Sequence, residues 1–431
     1  MQPGEPSTTP PRSGAPSGRP PGGGVPPDDQ GTRPTPPAPP GAADDGGADG
    51  GLPARAVADA VVPGAGPADE RVRKITGFQR VMGRPESASI AGAVLVFAVF
   101  ALTARDSGMF ALDGVMNWST VAAYLGILAT GACLLMIAGE FDLSIGSMIG
   151  FAGMMAAIPP LYFGWPVWAA MAMTLVLALA LGWLNGQIVV RTGLPSFIVT
   201  LAFLFILRGL TLAFSIAFAN RTIVSGIGDL AAKDPVVEVL FYGTFGNELF
   251  AWMARHHWIK TLDDGVTPLV HGIPKVLLWW FVVAVASSFR LTRTRLGNWI
   301  FAVGGDATAA KNVGVPVRRV KVSLFMFTAF CAWLFAMLQI CDVGSAAADR
   351  GLQKEFEAVI AAVIGGSLLT GGYGSVVGAS FGALIFGVVQ IGIGYTNVSS
   401  DWFRVFLGVM LLFAVLFNNQ VRRRVTEARS T

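Results

Sequence analysis

The chain has 431 residues, of which 53% are hydrophobic and 13% are charged, and its formal net charge is +4. Soluble globular domains carry about 25% charged residues, so this composition excludes an ordinary soluble protein. The apolar residues lie in blocks of roughly 15 to 26 residues, and a helix needs about 20 to cross a bilayer. We therefore expect an all-α polytopic membrane protein that is surrounded by lipid and has no nucleic acid partner.

The N-terminal region, residues 1–70, holds 17 of the 26 prolines and shows no apolar period. Such a segment buries too little apolar surface to offset its chain entropy, so we predict a disordered tail. The next segment, 71–87, is basic and contains Arg71, Arg73, Lys74, Arg80 and Arg84. Because cytoplasmic segments of membrane proteins collect Lys and Arg, the tail and the basic segment are predicted to be cytoplasmic.

Ten apolar blocks follow and predict a transmembrane domain over residues 88–418. The blocks lie at 88–104, 118–138, 143–158, 165–190, 197–219, 274–289, 322–341, 358–370, 376–395 and 402–417. Two of them, 274–289 and 358–370, are short enough to be re-entrant segments instead of full spans. The prediction is therefore about ten transmembrane helices, with a range of eight to ten.

The charges of the loops predict the orientation of the chain. The 290–321 loop carries seven basic residues and one acidic residue, whereas the 220–273 loop carries charges of both signs. The C-terminal segment, 419–431, is also basic. Ten alternating spans place both termini and the 290–321 loop in the cytoplasm and the 220–273 loop outside, in agreement with the basic clusters.

The segment Gly139–Ser147 separates two apolar blocks and contains the carboxylates of Glu140 and Asp142. Carboxylates near a membrane are costly unless they are buried in protein or face water. Two interpretations stay open. Asp142 or Ser144 caps the helix that follows a simple helix–helix turn, or the segment is a broken helix that lines a polar pathway.

A second polar segment begins at Gly193, where Pro195 and Ser196 are typical of a helix start, and it ends at Arg208-Gly209. Arg208 lies inside an apolar run, so it either snorkels, forms an internal salt bridge or faces a polar pathway. The pathway hypothesis names seven residues, of which some are expected to face a central water-filled cavity: Asp142, Ser144, Asn185, Ser196, Phe197, Thr200 and Arg208.

The third motif, residues 294–317, belongs to the predicted cytoplasmic loop, and a short Ala-rich helix within it lies between two basic stretches. Asp306 is predicted to cap a two-turn helix, and Gly314 to end it. Its small residues would let another surface approach closely, so it is either a surface helix or a docking site for a partner protein. The candidate docking residues are Gly304, Gly305, Asp306, Ala309, Ala310, Gly314 and Val315.

The fourth motif is rich in glycine and extends from Ile364 to Gly382. Its glycines Gly374, Gly378 and Gly382 are four residues apart, which predicts one close-packed helix face. No G-x-x-x-x-G-K-[ST] phosphate loop occurs in the chain. The three cysteines and three histidines show no metal-ligand spacing, so we predict no metal site.

These four motifs together resemble the permease family of bacterial sugar importers of the ribose and xylose type, within the branched-chain-amino-acid and sugar permease superfamily. Gly139–Ser147 corresponds to the family segment G-G-I-D-L-S-V-G-S, and Pro195–Leu201 with Arg208-Gly209 corresponds to P-x-F-I-V-T-L followed by R-G. Ala302–Val315 corresponds to A-x-G-G-N-x-x-A-A-x-x-x-G-I. Val363–Gly378 corresponds to V-I-G-G-x-x-x-x-G-G-x-G-S-x-x-G. The matches run in order from about residue 85 to 418. The chain departs from the pattern at Glu140, at Asp306 and in its long 220–273 loop.

The resemblance implies the transmembrane subunit of an ATP-binding-cassette (ABC) importer for a monosaccharide or polyol, in the bacterial plasma (inner) membrane. It implies a homodimer of permeases, two cytoplasmic ATP-binding subunits and an external sugar-binding protein. It also implies that residues 304–316 form the coupling helix that docks on the ATP-binding subunit. The chain itself would be no enzyme and bind no cofactor, since ATP and Mg would lie on the partner.

Two alternatives belong to other classes. An ion-coupled secondary transporter needs carboxylates at the middle of the membrane, whereas Glu140 and Asp142 lie at the edge of an apolar block. A membrane-embedded transferase would need paired carboxylates or a metal site, and Asp263-Asp264 is the nearest candidate.

Overall fold

A computed structural model describes residues 85–262, 267–396, 398–399, 401–412 and 416, which all belong to one folding unit. The predicted disordered tail, most of the basic segment that follows it and the basic C-terminus lie outside the described residues.

Five long helices come first along the described chain. They are α1 (Pro85–Thr103), α2 (Leu112–Ile137), α3 (Ile145–Phe163), α4 (Val167–Thr192) and α5 (Ser196–Ala219). The connection after α5 contains short elements: β1 (Ile223–Ser225), α6 (Ile227–Ala231), α7 (Pro235–Leu240), β2 (Thr244–Phe245), α8 (Asn247–Arg255) and β3 (Ile273–Pro274). The predicted 220–273 loop is therefore structured over much of its length.

The second half of the chain is also helical. It consists of α9 (Lys275–Arg293), α10 (Arg295–Gly305), α11 (Ala307–Asn312), α12 (Val317–Val343), β4 (Ser345–Ala347), α13 (Lys354–Ile364), α14 (Val376–Gly394) and α15 (Trp402–Leu412). The strands form two short antiparallel pairs, one between β1 and β4, which are distant in the sequence, and one between β2 and β3.

Eight helices of the described residues are long and apolar enough to cross a membrane, namely α1 to α5, α9, α12 and α14. At 1.5 Å per residue, the 19 residues of α9 extend about 28 Å, close to the thickness of a hydrocarbon core. The short block 274–289 is thus part of a span-length helix. The block 358–370 begins within the 11-residue α13 and extends beyond its end, so it contains no span-length helix. The all-α polytopic fold is confirmed, and the eight span-length helices of the described residues agree with the predicted range of eight to ten.

Helices α2, α3 and α12 form the centre of the bundle and are buried over most of their length, whereas α1, α4, α5 and α9 present large apolar side chains to the outside. Small residues let the helices approach closely. A Cβ atom at Gly182 of α4 would come 2.7 Å from the carbonyl oxygen of Phe325 on α12, and one at Gly186 would come 2.8 Å from the Cα of Val322. Such glycine pairs four residues apart are typical of helix packing in membranes.

The loops divide between the two ends of the bundle. The loop between α9 and α12 lies at one end, beside the C-terminal residue of α2, Ile137. We call this end of the bundle the basic end, because the loop and the start of α12 contain Arg295, Lys311, Arg318 and Arg319. The β1–β4 pair lies at the opposite end, where α5 and α12 terminate. The 220–273 connection and the 290–321 loop are thus at opposite ends, as the alternation of spans requires.

Candidate functional site

The loop between α2 and α3, residues 138–144, enters the bundle from the basic end. The Ser196 hydroxyl at the start of α5 accepts a hydrogen bond from the backbone N–H of Phe141 (3.0 Å). The Thr200 hydroxyl, one turn further, accepts one from the N–H of Leu143 (3.0 Å). Backbone groups inside an apolar bundle need such partners, because no bulk water reaches them. The first turn of α5 therefore fixes the path of this loop.

Asp142, near the end of this loop, is the centre of a buried hydrogen-bond network. Its Oδ1 accepts from the backbone N–H (2.9 Å) and the hydroxyl (2.6 Å) of Ser144, and its Oδ2 accepts from the hydroxyl of Thr328 on α12 (2.9 Å). The Nδ2 of Asn185 on α4 donates to the Ser144 hydroxyl (3.0 Å). Three donors to one carboxylate offset the cost of removing it from water. The network ties α4 and α12 to the start of α3.

The structure brings together five of the seven predicted pathway residues, all less than a tenth exposed: Asp142, Ser144, Asn185, Ser196 and Thr200. We call these five, with Thr328, the polar cluster. Phe197 lies apart, because its ring points to the outside of α5 and is 51% exposed. Arg208 is partly buried farther along α5, within electrostatic range of Glu355. A central water-filled cavity stays a prediction, since the polar cluster is closed in this conformation.

A second discontinuous stretch, residues 348–353, joins β4 to α13 and runs beside α3. The carbonyl oxygen of Arg350 lies 2.8 Å from the Cβ position of Gly150. The stretch leads into α13, where Glu355 is 2% exposed. The carboxylate of Glu355 meets the first turn of α3, since a Cβ at Gly146 would come 1.8 Å from Oε2. Both α3 and α13 therefore begin inside the bundle, and their N-terminal turns meet.

Three buried polar atoms around this meeting point have no hydrogen-bond partner within the described part of the chain: Ser147 Oγ, Asn185 Oδ1 and Glu355 Oε2. Thr328, Ser147 and Glu355 were not predicted from the sequence. The available signal for Glu355 was its position directly before the short apolar block. No group of His, Cys, Asp and Glu side chains in the described ranges is arranged to hold a metal ion. The site therefore offers hydrogen bonds and a carboxylate to a ligand.

The predicted coupling segment, 304–316, forms α11 at the basic end. As predicted, Asp306 caps this helix, because its Oδ1 accepts from the backbone N–H groups of Thr308 (2.8 Å) and Ala309 (2.9 Å). Ala309 is exposed, but Ala310 is only 4% exposed and faces the bundle. The expectation that Ala310 belongs to the outer surface is therefore wrong, since α11 packs that side against the protein.

Other candidates of this segment are Gly304 and Gly305 at the end of α10, and Gly314 and Val315 after α11. Gly314 has a left-handed backbone (φ 87°) and reverses the chain, as its predicted role requires. Gly304 is in close contact with the C-terminal residue of α2, Ile137. The segment thus has an outer surface around Ala309 and an inner contact at Gly304.

The predicted glycine face is present in part. A Cβ at Gly378 or at Gly382 of α14 would come 2.0 Å from the carbonyl oxygens of Gly365 and Ala361, respectively. These two glycines therefore press against α13 of the same chain. Gly374 precedes α14, which begins at Val376, so the prediction that it shares this helix face is wrong.

The sequence matches known proteins over most of its length. Residues 114–415 match the family model described as the branched-chain amino acid transport system / permease component. The xylose transport system permease protein XylH of Escherichia coli (strain K12) is 30% identical over 362 residues, which cover 77% of this chain and 91% of the relative. No solved structure matches the chain significantly.

Two other relatives are similar over the same extent. The ribose import permease protein RbsC of Escherichia coli (strain K12) is 28% identical over 337 residues, covering 78% of this chain and 94% of the relative. The probable ABC transporter permease protein y4mJ of Sinorhizobium fredii (strain NBRC 101917 / NGR234) is 30% identical over 336 residues, covering 78% and 90%.

The chain belongs to the ABC importer permease family that its motifs resemble. It is a multi-pass protein of the bacterial inner membrane, since eight helices of the described residues reach span length. It is a transport subunit and not an enzyme, because the family model describes a permease component of a transport system.

The site corrects one premise of the sequence-based reasoning about alternatives. Asp142 was placed at the edge of an apolar block, but its partner Thr328 is the twelfth residue of the central helix α12. Glu355 is also enclosed by the bundle. The position of the carboxylates therefore does not argue against ion coupling, and the family match alone decides between these classes. The candidate carboxylates of a transferase, Asp263-Asp264, lie outside the described residues.

Proposed function

We propose that this chain forms the translocation pathway for a monosaccharide or polyol in an ABC importer. Two copies pair in the membrane, two ATP-binding subunits dock on their cytoplasmic side, and an external sugar-binding protein delivers the substrate. The relatives named for xylose and ribose support a small polyhydroxylated substrate, because the similarity covers more than nine tenths of each of these permeases.

The observation that carries the proposal is that α3 and α13 both begin inside the bundle, beside the polar cluster. Discontinuous helices near the middle of a membrane protein are typical of transport sites. Asn185 Oδ1 and Glu355 Oε2 are acceptors without a partner in the described residues, and the Ser147 hydroxyl can accept as well. Sugar hydroxyl groups donate hydrogen bonds to such acceptors. A neutral solute rich in hydroxyl groups therefore suits this site better than an apolar one.

The basic end is assigned to the cytoplasm. It carries the basic residues of the loop between α9 and α12, and cytoplasmic loops collect such residues. The opposite end then holds the 220–273 connection, which faces the external sugar-binding protein. Alternating access would open the polar cluster first to this side and then to the cytoplasm, as ATP binding shifts the population between the two states.

Docking of the ATP-binding subunit is assigned to the outer surface of α11. The cap at Asp306 holds α11 in place, and the exposed methyl group of Ala309 leaves room for a close approach. Ala309→Glu places charge on this surface and is expected to abolish co-purification of the ATP-binding subunit while membrane insertion is unchanged. Ala302→Glu is the matched control, because Ala302 is an exposed alanine of the neighbouring α10. Retention of the subunit by Ala309→Glu would refute the docking assignment.

The transport function is tested in proteoliposomes that contain the chain with its ATP-binding subunits and the binding protein. Uptake of labelled xylose, ribose and a set of polyols is measured with and without ATP, and with and without an ionophore. We expect uptake that requires ATP and is insensitive to the ionophore. Uptake that persists without ATP and collapses with the ionophore would favour the ion-coupled alternative.

A further inference from the structure

The inner side of the coupling segment touches the C-terminal residue of α2, directly before the loop 138–144, through a backbone contact. A Cβ at Gly304 would come 1.7 Å from the carbonyl oxygen of Ile137, so these two backbone segments are in contact with no side chain between them. Gly372 joins the same point, because its backbone N–H donates to the Ile137 oxygen (2.8 Å). Such a contact has no flexible side chain to absorb a displacement. Movement of α10 and α11 must therefore displace the end of α2 or break this contact.

A second contact joins the same loop to the first turns of α12, the helix that directly follows the coupling segment. Lys321 lies near the start of α12, five residues beyond Pro316. Its Nζ donates to Oε1 of Glu140, and the two groups form an ion pair. The Glu140 side chain is 10% exposed and that of Lys321 is 19% exposed, so water screens this pair less than a surface pair. The loop 138–144 is thus held at its start by the contact of Ile137 with Gly304, the first residue of the coupling segment, and at Glu140 by Lys321 of α12, the helix that follows this segment.

The loop is short enough to carry a displacement to the polar cluster. Glu140 is two residues from Asp142, whose Oδ2 binds Thr328 and whose Oδ1 binds Ser144 at the start of α3. The intervening residue, Phe141, is itself held by the hydroxyl of Ser196. No flexible segment therefore lies between the ion pair of Glu140 with Lys321 and the hydrogen-bond network of Asp142.

We infer that the ion pair between Glu140 and Lys321 positions the loop 138–144, so that movement of the coupling segment reaches the polar cluster. This rests on the proposed docking of an ATP-binding subunit on α11. Glu140 and Lys321 act as positioning residues and do not touch substrate. Loss of the pair should leave docking and ATP hydrolysis in place but uncouple hydrolysis from transport.

The test compares Glu140→Gln and Lys321→Met with the parental importer in proteoliposomes. Three quantities are measured: the amount of co-purified ATP-binding subunit, the rate of ATP hydrolysis, and the substrate transported per ATP hydrolysed. Both variants are expected to retain the subunit and the hydrolysis rate within about twofold and to lose at least fivefold in transport per ATP. Arg319→Met is the control, because it removes an exposed positive charge from the same helix and should change none of the three.

The charge-reversed double variant, Glu140→Lys with Lys321→Glu, separates a specific pair from general loss of charge. It is expected to recover at least half of the parental transport per ATP, and it decides the matter if the single variants do not fold. Parental coupling in the single variants, or no recovery in the double variant, would overturn the inference. Loss of the ATP-binding subunit from the single variants would also overturn it, because the pair would then serve assembly. Failure of the docking assignment itself shows separately, as retention of the subunit by Ala309→Glu.

Discussion

Replacement of Thr328 by valine tests whether the buried network around Asp142 is energetically important. The substitution keeps the shape of the side chain and removes the donor to Asp142 Oδ2 (2.9 Å), and Thr328 is only 2% exposed. The carboxylate oxygen then loses a charge-assisted hydrogen bond at a site that is closed to bulk water. Hydrogen bonds to charged groups contribute about 1.5–3 kcal/mol, so Thr328→Val should destabilise the protein by about that amount.

Thr211→Val is the matched control for this experiment. Thr211 is a helical threonine on α5 that is 1% exposed, and its hydroxyl donates to the carbonyl oxygen of Leu207 in its own helix (2.6 Å). That carbonyl also belongs to the helix ladder, so no charged group is left without a donor. The expected loss is below about 1 kcal/mol. The Thr328 hydroxyl likewise lies 2.9 Å from a carbonyl oxygen of its own helix, that of Phe325, so the two variants differ in the carboxylate partner and not in burial or in the atoms removed.

Melting temperatures of the purified proteins in one detergent, followed by uptake in proteoliposomes, compare the variants. Thr328→Val should melt at a lower temperature than Thr211→Val and should transport more slowly, because Asp142, just before the start of α3, loses its hydrogen bond to α12. Equal melting temperatures and equal uptake would show that the bond between Thr328 and Asp142 is not important, and the reasoning about the polar cluster would fail.

Three further predictions are tested by protein yield, by uptake and by thiol labelling. Gly378→Leu places a side chain where the carbonyl oxygen of Gly365 already lies, so it should reduce the free energy of unfolding by about 1–3 kcal/mol and lower the yield of monodisperse protein. Gly209→Leu is the control and should not, because no atom lies within 4 Å of its Cβ position; equal yields would contradict the prediction. Deletion of residues 2–65 should leave uptake unchanged, because their composition predicts no packed structure, and loss of uptake at unchanged abundance would refute it. A cysteine at Phe197 should react with a small polar thiol reagent in the resting state, and one at Asn185 only during turnover; reaction of both at rest would contradict a closed polar cluster.

Hydropathy predicted the class of fold and most of the spans, because a bilayer imposes a length that can be counted along the chain. The same reasoning does not distinguish a short apolar block that crosses the membrane from one that is buried in the protein. The block 358–370 is apolar because it is enclosed by other helices, and the stretch before it crosses part of the bundle without helical structure. Burial in protein and contact with lipid both favour apolar residues, so composition alone does not separate them.

The polar cluster was predicted in part for a similar reason. Asp142, Ser144 and Thr200 stand out because polar residues in apolar runs are rare. Thr328 is equally important to the network but is 186 residues from Asp142 in the sequence. A threonine within a helix is common and does not by itself indicate a function. Its function depends on which helix packs beside the loop, which is a property of the tertiary structure. The same holds for Ala310, whose orientation on α11 decides between docking and packing.

Glu355 is the residue whose placement has the most consequences for transport. Its carboxylate meets the first turn of α3, where the helix dipole and the free N–H groups favour negative charge. This surrounding explains why a carboxylate is tolerated inside the bundle. The favourable electrostatic environment of the Glu355 carboxylate therefore depends on the position of α3, which directly follows the loop 138–144. Oε2 of Glu355 has no hydrogen-bond donor in the described residues even in this conformation. A shift of that loop would also move the N-terminal turn of α3, and its favourable dipole, away from the carboxylate. Water or the hydroxyl groups of a sugar would then supply donors, so opening of the loop and binding of a hydroxyl-rich substrate favour each other.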